Sequence, residues 1–296
     1  IFFNFMKIAI CYNKKSYSPE IFAYADYLEK KNIKVNINSY QNLDYDNDAI
    51  MYLMGFKPYW KFRKFKNIKE IHEYSSLSTI PFAHTKDFLK KYLNVKPKIR
   101  IFNSKVIKNT LNFNDTIPYI YRDTGVDDSF LNFQSKNKKE YDIIYTGTTD
   151  RSRVGLVNCF KNLLSKDFTI LVVGSYSKEF YNNFNGNKKI IFAGEIKRTK
   201  LPEIYSLATY GLNFTPDIYP YNLQNSTKTK EYCATGLKII SNKYFWSNEF
   251  CKSRKAKFLW LHNIQNKKDA ENFNFVTPDV SDLSWNKILD NCNFED

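Results

Sequence analysis

The chain has 296 residues, of which 43% are hydrophobic and 17% aromatic. This content is enough to bury one large core or two ordinary ones, and it excludes an intrinsically disordered protein. The formal net charge of +15 favours polyanionic partners such as nucleotides, anionic membranes or nucleic acid, without choosing among them.

No apolar run approaches the ~20 residues that a membrane-spanning helix requires. The five cysteines are scattered and never form a Cys-x-x-Cys arrangement, so neither a zinc site nor a disulfide framework is predicted. These features predict a reduced, cytoplasmic protein.

The first half of the chain alternates short β-rich runs with amphipathic segments of helix length. Between the first two runs, residues 19–31 place Ile21, Ala25 and Leu28 at helical spacing. Strand–helix alternation is typical of parallel sheets that are covered by helices on both faces. The predicted strands are residues 7–12, 33–38, 49–54, 70–74, 99–103 and 119–122.

A polar stretch at residues 132–140 interrupts this pattern and is interpreted as a linker. The alternation then restarts, with predicted strands at residues 141–146, 168–173, 189–193, 211–215, 238–241 and 257–261. The sequence therefore predicts an α/β protein of two Rossmann-like domains, residues 1–135 and 136–279, with a cleft between them. A helix predicted near the C-terminus, within residues 280–296, is a candidate to pack back on the first domain.

The segment at residues 225–240 combines a helix start with positive charge. Ser226 or Thr227 is a suitable N-cap, and Gly236 is suited to end the same helix. A helix start at the carboxyl edge of a sheet binds anions, because unpaired N–H groups and the helix dipole converge there. Lys228 lies in the first turn, where a cation is favourable only beside an anion, and Glu231 follows one turn later. An exposed Lys–Glu pair on an ordinary capped helix is the alternative.

A second candidate element is the turn at residues 146–155, which joins the first strand of the second domain to its first helix. Gly147 permits close approach of the backbone, and Arg151 and Arg153 offer forked donors to phosphate oxygens. A solvated turn with two exposed arginines is the alternative.

In order along the chain, these elements resemble the donor-binding lobe of retaining glycosyltransferases with the GT-B fold, the large nucleotide-sugar-dependent family of the group 1 type. The resemblance covers roughly residues 141–241 and is carried by the following residues: Gly147 to Arg153, Leu171-Val172-Val173-Gly174, Ile191-Phe192-Ala193-Gly194-Glu195-Ile196, Leu201-Pro202-Glu203-Ile204-Tyr205, and Lys228-x-x-Glu231-Tyr232-x-Ala234-x-Gly236-x-x-Ile239. The first half matches only loosely, through residues 6–12 and 123–127.

The resemblance implies a role for each matching position. Arg153 and Lys228 would hold the donor diphosphate, and Glu231 would bond the ribose hydroxyls; these three are the candidate catalytic residues. The domain of residues 1–135 would bind the acceptor, and that of residues 136–279 the donor. The further donor-binding candidates are Gly147, Thr148, Arg151, Gly174, Gly194, Glu195, Ile196, Asn225, Ser226 and Thr227.

One departure from the family pattern concerns the donor sugar. Many members carry a glutamate eight residues before the ribose-binding one, and this chain has Leu223 there. Contacts to the sugar would then come from other groups such as Asn225 or backbone amides. The resemblance implies a hexosyltransferase that retains anomeric configuration, that uses a nucleotide sugar, UDP-linked in our expectation, as substrate, and that needs neither cofactor nor metal.

Polar residues of the first half are candidates for the acceptor side. His72 and Glu73 follow a short strand, and His84 lies just beyond Pro81. Any of them could orient or deprotonate an acceptor hydroxyl, although a histidine with a purely structural role is the commoner case. The expected acceptor is a glycan or lipid-linked molecule of the cell envelope, such as lipopolysaccharide or capsule.

Residues 57–69 interleave basic and aromatic side chains. The pattern fits a helix that lies on an anionic membrane surface through Trp60, Lys61, Arg63, Lys64 and Lys66, which would place the protein peripherally on the inner face of the cytoplasmic membrane. A helix that packs its aromatic residues into the core is the alternative.

Asp44, Asp46 and Asp48 resemble the metal-binding carboxylates of another glycosyltransferase fold, but a solvated loop is preferred. Competing functions are a sugar-nucleotide epimerase or hydrolase of the same fold, a silent sugar-binding scaffold, and a nucleic-acid-binding protein. The last is disfavoured because the basic residues are dispersed and no compact nucleic-acid-binding motif is present.

Overall fold

The computed structural model describes residues 6–12, 18–39, 42, 46–53, 55, 57, 59, 68–134, 138–150 and 153–292. The chain divides into two compact units, Ile1–Gly125 with Trp285–Asp296, and Val126–Ser284. Each unit contains a six-stranded sheet in which every pairing is parallel, so the α/β class and the two Rossmann-like units are confirmed. None of the described helices has the length and apolarity needed to cross a membrane.

The sheet of the first unit has the strand order β2-β1-β3-β4-β5-β6. Its central strands are buried on both faces, as expected for a parallel sheet. The strands are β1 (Lys7–Tyr12), β2 (Lys34–Ser39), β3 (Ala49–Leu53), β4 (Lys69–Tyr74), β5 (Ile99–Phe102) and β6 (Tyr119–Tyr121), and the helices are α1 (Glu20–Lys30), α2 (Ala83–Leu93) and α3 (Lys105–Leu111).

The core of the first unit lies between β1 and α1. Ile8 and Ile10 of β1 pack with Ile21, Tyr24 and Leu28 of α1. The C-terminal helix α11 (Trp285–Asp290) joins this core through Trp285 and Leu289, while Tyr27 donates to Asp290 Oδ1 at 2.9 Å. A Cβ at Gly125 would overlap the Trp285 indole, so this contact requires glycine.

The sheet of the second unit has the order β12-β11-β10-β7-β8-β9. Its core is rich in aromatic side chains; Phe160 contacts Tyr145, Phe180 and Phe184. The strands are β7 (Tyr141–Thr146), β8 (Ile170–Val173), β9 (Ile190–Gly194), β10 (Ala208–Asn213), β11 (Lys238–Ser241) and β12 (Leu259–Trp260). The helices are α4 (Asp128–Leu131), α5 (Leu156–Ser165), α6 (Lys178–Asn182), α7 (Leu201–Tyr205), α8 (Thr227–Ala234), α9 (Phe245–Arg254) and α10 (Lys267–Asn272).

The two units separate at Gly125 and Val126, ten residues before the boundary predicted from the polar stretch. The division lies there because the residues that follow Gly125 pack within the second unit. Val126 forms a β-bridge with Ser284, and Phe130 packs on Tyr205. The polar stretch at residues 132–140 therefore follows α4, whereas the division between the two units lies before α4.

Candidate functional site

A topological switch point lies between β7 and β10, because the chain builds the sheet outward from β7 on one side and from β10 on the other. The two strands pair in parallel, so the segments after Thr146 and after Asn213 leave the sheet at the same edge. Ligands of open parallel sheets bind outside the carboxyl ends of the strands at such a point. This edge of the second unit is therefore the candidate site.

Three of the predicted donor-binding glycines lie side by side here, at the ends of β7, β8 and β9. Gly147 donates its N–H to Val173 O at 2.9 Å, and Gly174 donates to Gly194 O at 2.8 Å. A Cβ on Gly174, whose φ is +121°, would lie 2.6 Å from the carbonyl oxygen of Gly147. The close approach of two strand ends thus excludes any side chain at Gly174.

Helix α8 begins at the same edge, with Ser226 as its N-cap. Ser226 Oγ accepts from Thr229 N at 3.4 Å and donates to Asn213 Oδ1 at 3.0 Å. Asn213 ends β10, and its Nδ2 donates to Ser241 and Tyr244 at 3.0 and 3.2 Å. This buried network fixes the first turn of α8 against the sheet.

Lys228, in the first turn of α8, is partly buried, and its side-chain nitrogen contacts two uncharged groups. Its Nζ donates to Phe214 O at 3.3 Å and lies 4.2 Å from the centre of the Tyr145 ring. Burial lowers the pKa of this ammonium group well below its ordinary value, and the positive charge of Arg153 lowers it further. The fold therefore holds a lysine where its charge is unfavourable, unless an anion binds beside it.

Arg153 lines a cavity and is close enough to Lys228 for its charge to lower the pKa of that lysine. Its guanidinium carbon is 6.0 Å from the centre of the Tyr221 ring, and no described atom accepts a hydrogen bond from its buried Nε. The cavity, of about 300 Å³, is lined by Arg153, Thr149 and the start of α5, together with the carboxylates of Asp150 and Glu179. Thr149 Oγ1 is also buried without a hydrogen-bond partner among the described residues.

Among the described residues, no carboxylate forms an ion pair with Arg153 or Lys228. The charge of Arg153 lowers the pKa of Lys228, so the two side chains are close together. Arg153 lies just before α5, which has no side-chain cap, and Lys228 lies in the first turn of α8, which Ser226 caps. Two adjacent cations with helix N-termini form a site that suits a multiply charged anion such as a diphosphate.

Glu231 lies one turn further along α8, is 3% exposed, and is held by two donors. Arg198 Nη1 donates to Oε1 at 2.7 Å, and Tyr205 OH donates to Oε2 at 3.1 Å. Burial raises the pKa of Glu231, although Arg198 and Tyr205 oppose this shift. Arg198 also donates through Nε to Asp127 Oδ2, so that it joins two carboxylates.

These two hydrogen bonds hold the Glu231 side chain in place. The spacing of residues in the sequence did not predict this. Each carboxylate oxygen accepts up to two hydrogen bonds, so one acceptor position on each oxygen remains. The ribose-binding role of Glu231 stays a prediction, now of a rigid acceptor that Arg198 and Tyr205 orient.

The other donor-side candidates lie in loops of the same unit, except Thr227, which is the first residue of α8. Thr148 Oγ1 donates to Asp150 Oδ2 at 3.3 Å, and Leu223 ends a short 3₁₀ turn, Tyr221–Leu223. Glu195 is exposed, whereas Ile196, Asn225 and Thr227 are half-buried. Arg151 lies outside the described residues.

The predicted acceptor-side residues His72 and Glu73 are fully buried in β4, which corrects that expectation. His72 Nε2 is 3.2 Å from Glu70 Oε2, beside the Lys57–Glu70 ion pair of 2.9 Å, and burial lowers its pKa to about 4. Glu73 pairs with the buried Arg122. Only His84, at the start of α2, is exposed.

Two other predictions concern the first unit. Trp60, Lys61, Arg63, Lys64 and Lys66, named as a membrane surface, lie outside the described residues. Asp44 also lies outside them, whereas Asp46 pairs with Lys7 Nζ at 2.7 Å and Asp48 accepts from Lys7 N at 2.7 Å. The part of the chain that the structure describes contains no group of three or more His, Cys, Asp or Glu arranged to hold a metal ion.

Sequence reasoning gave no role to Arg198 or Asn213, and it included Tyr205 in the family resemblance without a role. The signal that the sequence offers for Arg198 is its position two residues after the segment Gly194-Glu195-Ile196. Its partners are 33 and 71 residues away, and spacing does not reveal such pairs.

No protein-family profile and no curated protein sequence matches this chain. Solved structures do match it. Sucrose-phosphate synthase from Thermosynechococcus elongatus is 13% identical, with a TM-score of 0.67, over 96% of this chain and 92% of that one. AviGT4, a glycosyltransferase involved in avilamycin A biosynthesis, is 10% identical, with a TM-score of 0.62, over 97% and 95%.

A third match is the UDP-GlcNAc 2-epimerase of Methanocaldococcus jannaschii in complex with UDP-GlcNAc and UDP. It is 12% identical, with a TM-score of 0.56, over 96% of this chain and 99% of that one. At these identities the similarity establishes the fold. The chain has the GT-B fold, as the sequence resemblance implied.

Proposed function

We propose that this protein is a glycosyltransferase that transfers a sugar from a nucleoside diphosphate donor to a glycan or lipid-linked acceptor. The observation that carries the proposal is the pair Arg153 and Lys228, two adjacent cations without a carboxylate partner among the described residues, at the switch point of the second unit. A nucleotide sugar supplies the two linked phosphates that such a pair would neutralise.

The chemistry explains why a cationic site would accelerate sugar transfer. Breaking the glycosyl–phosphate bond places negative charge on the diphosphate leaving group. Fixed charges at the position where this charge develops stabilise the transition state, and removing one such donor typically raises the barrier by about 3 kcal/mol. In this proposal Arg153 and Lys228 stabilise the leaving group, while Glu231, oriented by Arg198 and Tyr205, accepts hydrogen bonds from the ribose hydroxyls.

The finer parts of the proposal rest on the family resemblance and on the structural neighbours. UDP is the proposed nucleotide, since one neighbour is in complex with UDP-GlcNAc and UDP. The proposal also includes retention of configuration by front-face attack and an acceptor of the lipopolysaccharide or capsule type. It places the protein peripherally on the inner face of the cytoplasmic membrane.

A turnover assay tests this function. Purified protein is incubated with UDP-, GDP-, CDP- and ADP-sugars and with crude envelope glycans, and release of nucleoside diphosphate is measured. We expect release that depends on the acceptor, that falls by about 100-fold or more in Arg153→Ala, and that is unchanged in Lys161→Ala, an exposed lysine of α5. Conversion of the donor without acceptor would identify an epimerase or hydrolase instead, and equal release from both variants would refute the proposed site.

A further inference from the structure

Helix α2 of the first unit exposes an apolar face to solvent. Phe88 is 61% exposed and Tyr92 is 55% exposed, with their ring centres 4.7 Å apart. Leu89 is 36% exposed beside them, and Phe82, just before the helix, is 76% exposed. A surface helix ordinarily turns its apolar face to the core, so this arrangement requires an explanation.

The opposite face of α2 is polar and buried. Asp87 and Lys90 are each 6% exposed and lie 3.4 Å apart, and Asp87 Oδ1 accepts from Ser78 N at 3.0 Å. A rotation of about 100° per residue puts Phe88, Leu89 and Tyr92 roughly opposite Ala83, Asp87 and Lys90. Helix α2 thus packs on the unit through its polar side, and its aromatic side is largely exposed to solvent.

The charges that this segment exposes have one sign. Between residues 79 and 98 the only carboxylate is Asp87, which is buried and pairs with the buried Lys90, whereas Lys86, Lys91, Lys96 and Lys98 are exposed or half-buried. By helical position, Lys86 and Lys91 flank the aromatic stripe on its two sides. Aromatic residues bordered by lysines are typical of helices that lie in the plane of an anionic membrane.

Phe82 adds an independent observation. It has a φ of +62°, in the left-handed region that a bulky side chain rarely adopts, and it is the most exposed large hydrophobic residue described. Strained residues of this kind persist mainly where they serve a function. Here the strain accompanies an aromatic ring that points to solvent at the edge of the stripe.

We propose that this surface, formed by Phe82, Phe88, Leu89 and Tyr92 with Lys86 and Lys91 and called here the α2 surface, binds an anionic lipid bilayer. The aromatic rings enter the boundary between headgroups and acyl chains, and the lysines contact anionic headgroups. The inference adds a defined contact to the proposed peripheral position. It is tested without any sugar donor, so that its failure and that of the transferase function are distinguishable.

The experiment is flotation with vesicles of phosphatidylglycerol and phosphatidylcholine, compared with vesicles of phosphatidylcholine alone. We expect the protein to float with the anionic vesicles, and the double variant Phe88→Ser/Tyr92→Ser to lose binding by about tenfold or more, since two aromatic side chains no longer insert. Phe22→Ser is the matched control, because Phe22 is 66% exposed on α1 of the same unit. It should bind like the unmodified protein.

Charge reversal provides the second arm. Lys86→Glu/Lys91→Glu should lower binding to anionic vesicles by about tenfold or more, and added salt should reduce the difference. Thermal unfolding of each variant checks that the exposed substitutions leave the fold intact. No binding of the unmodified protein, equal binding to both kinds of vesicle, or equal losses in the Phe22 and Phe88/Tyr92 variants would overturn the proposal. A dimer that the Phe88/Tyr92 variant dissociates, without vesicle binding, would also overturn it.

Discussion

Arg198 Nη1 donates to Glu231 Oε1 at 2.7 Å, while Nε of the same guanidinium binds Asp127. One side chain thus holds the carboxylate of α8 to the residue that precedes α4. Because the pKa of Glu231 is raised by burial, the carboxylate depends on Arg198 for its charge compensation.

Removal of Arg198 should therefore destabilise the protein in a pH-dependent manner. Because the pKa of Glu231 is raised in the folded protein, the protonated side chain costs no stability below the unfolded pKa of 4.5. The free energy of unfolding falls as the pH rises through the folded pKa and the buried side chain becomes charged. We expect Arg198→Ala to lower the free energy of unfolding by about 2–4 kcal/mol at neutral pH and by less near pH 4. Urea unfolding across this range measures the change.

The double variant Arg198→Ala/Glu231→Gln is the control for that prediction, because it removes the buried charge. It should recover part of the lost stability and reduce the pH dependence of the loss, while the Asp127 carboxylate still lacks its Arg198 partner. A loss of the same size at every pH would show that Arg198 acts through packing alone.

Lys228→Met should separate stability from function. The pKa of Lys228 is lowered by burial and by Arg153, so the folded protein binds this proton less tightly than the unfolded chain does. Stability therefore rises with pH between the lowered pKa and 10.5, and it is reduced below that window. The variant should be more stable than the parent by about 1–2 kcal/mol at neutral pH, yet inactive as a transferase. Thermal unfolding and turnover, measured on the same preparation, check both parts; a destabilised variant would mean that Lys228 is structural.

Gly174→Ala should be strongly destabilising. The added methyl group would meet the carbonyl oxygen of Gly147 at 2.6 Å, in addition to the unfavourable positive φ. We expect a loss of about 3 kcal/mol, compared with about 1 kcal/mol for Gly186→Ala, where φ is also positive but no atom lies within 4 Å. Denaturant midpoints of the two variants give the comparison, and equal losses would argue against the close approach of the strand ends.

His72 should make the first unit sensitive to acid. Burial lowers its pKa to about 4 from 6.5, so the unfolded chain takes up the proton first. Stability should be fully present above the unfolded value and should fall by about 2–3 kcal/mol as the pH drops from 6.5 toward 4. His72→Gln should flatten this dependence in chemical unfolding, whereas His84→Gln, at an exposed position, should not.

The central strands of both sheets were predictable because they are short runs of buried residues, many of them β-branched or aromatic. Ile170–Val173, for example, is buried at every position. The helix start at Ser226 and the glycine turns were also predictable, since capping and positive φ restrict the choice of residue. These features depend on the local sequence.

The role of individual polar residues was less predictable. His72 and Glu73 lie in a strand that is buried on both faces, where alternation does not distinguish a side chain of the site from one of the core. Their partners, Glu70 and Arg122, explain their burial, and Arg122 is distant in the sequence. The same limit applies to Arg198, whose importance follows only from the two carboxylates that the fold brings to it.

The affinity for UDP, measured by calorimetry, is the sharpest test of the proposal that Arg153 and Lys228 form a diphosphate site. A diphosphate bound beside these two side chains gains charge-assisted hydrogen bonds that an uncharged side chain does not provide. We expect UDP to bind the parent protein and to bind Lys228→Met and Arg153→Ala more weakly by about tenfold or more. Binding of UDP with unchanged affinity in Lys228→Met and Arg153→Ala, or no binding to the parent, would contradict it.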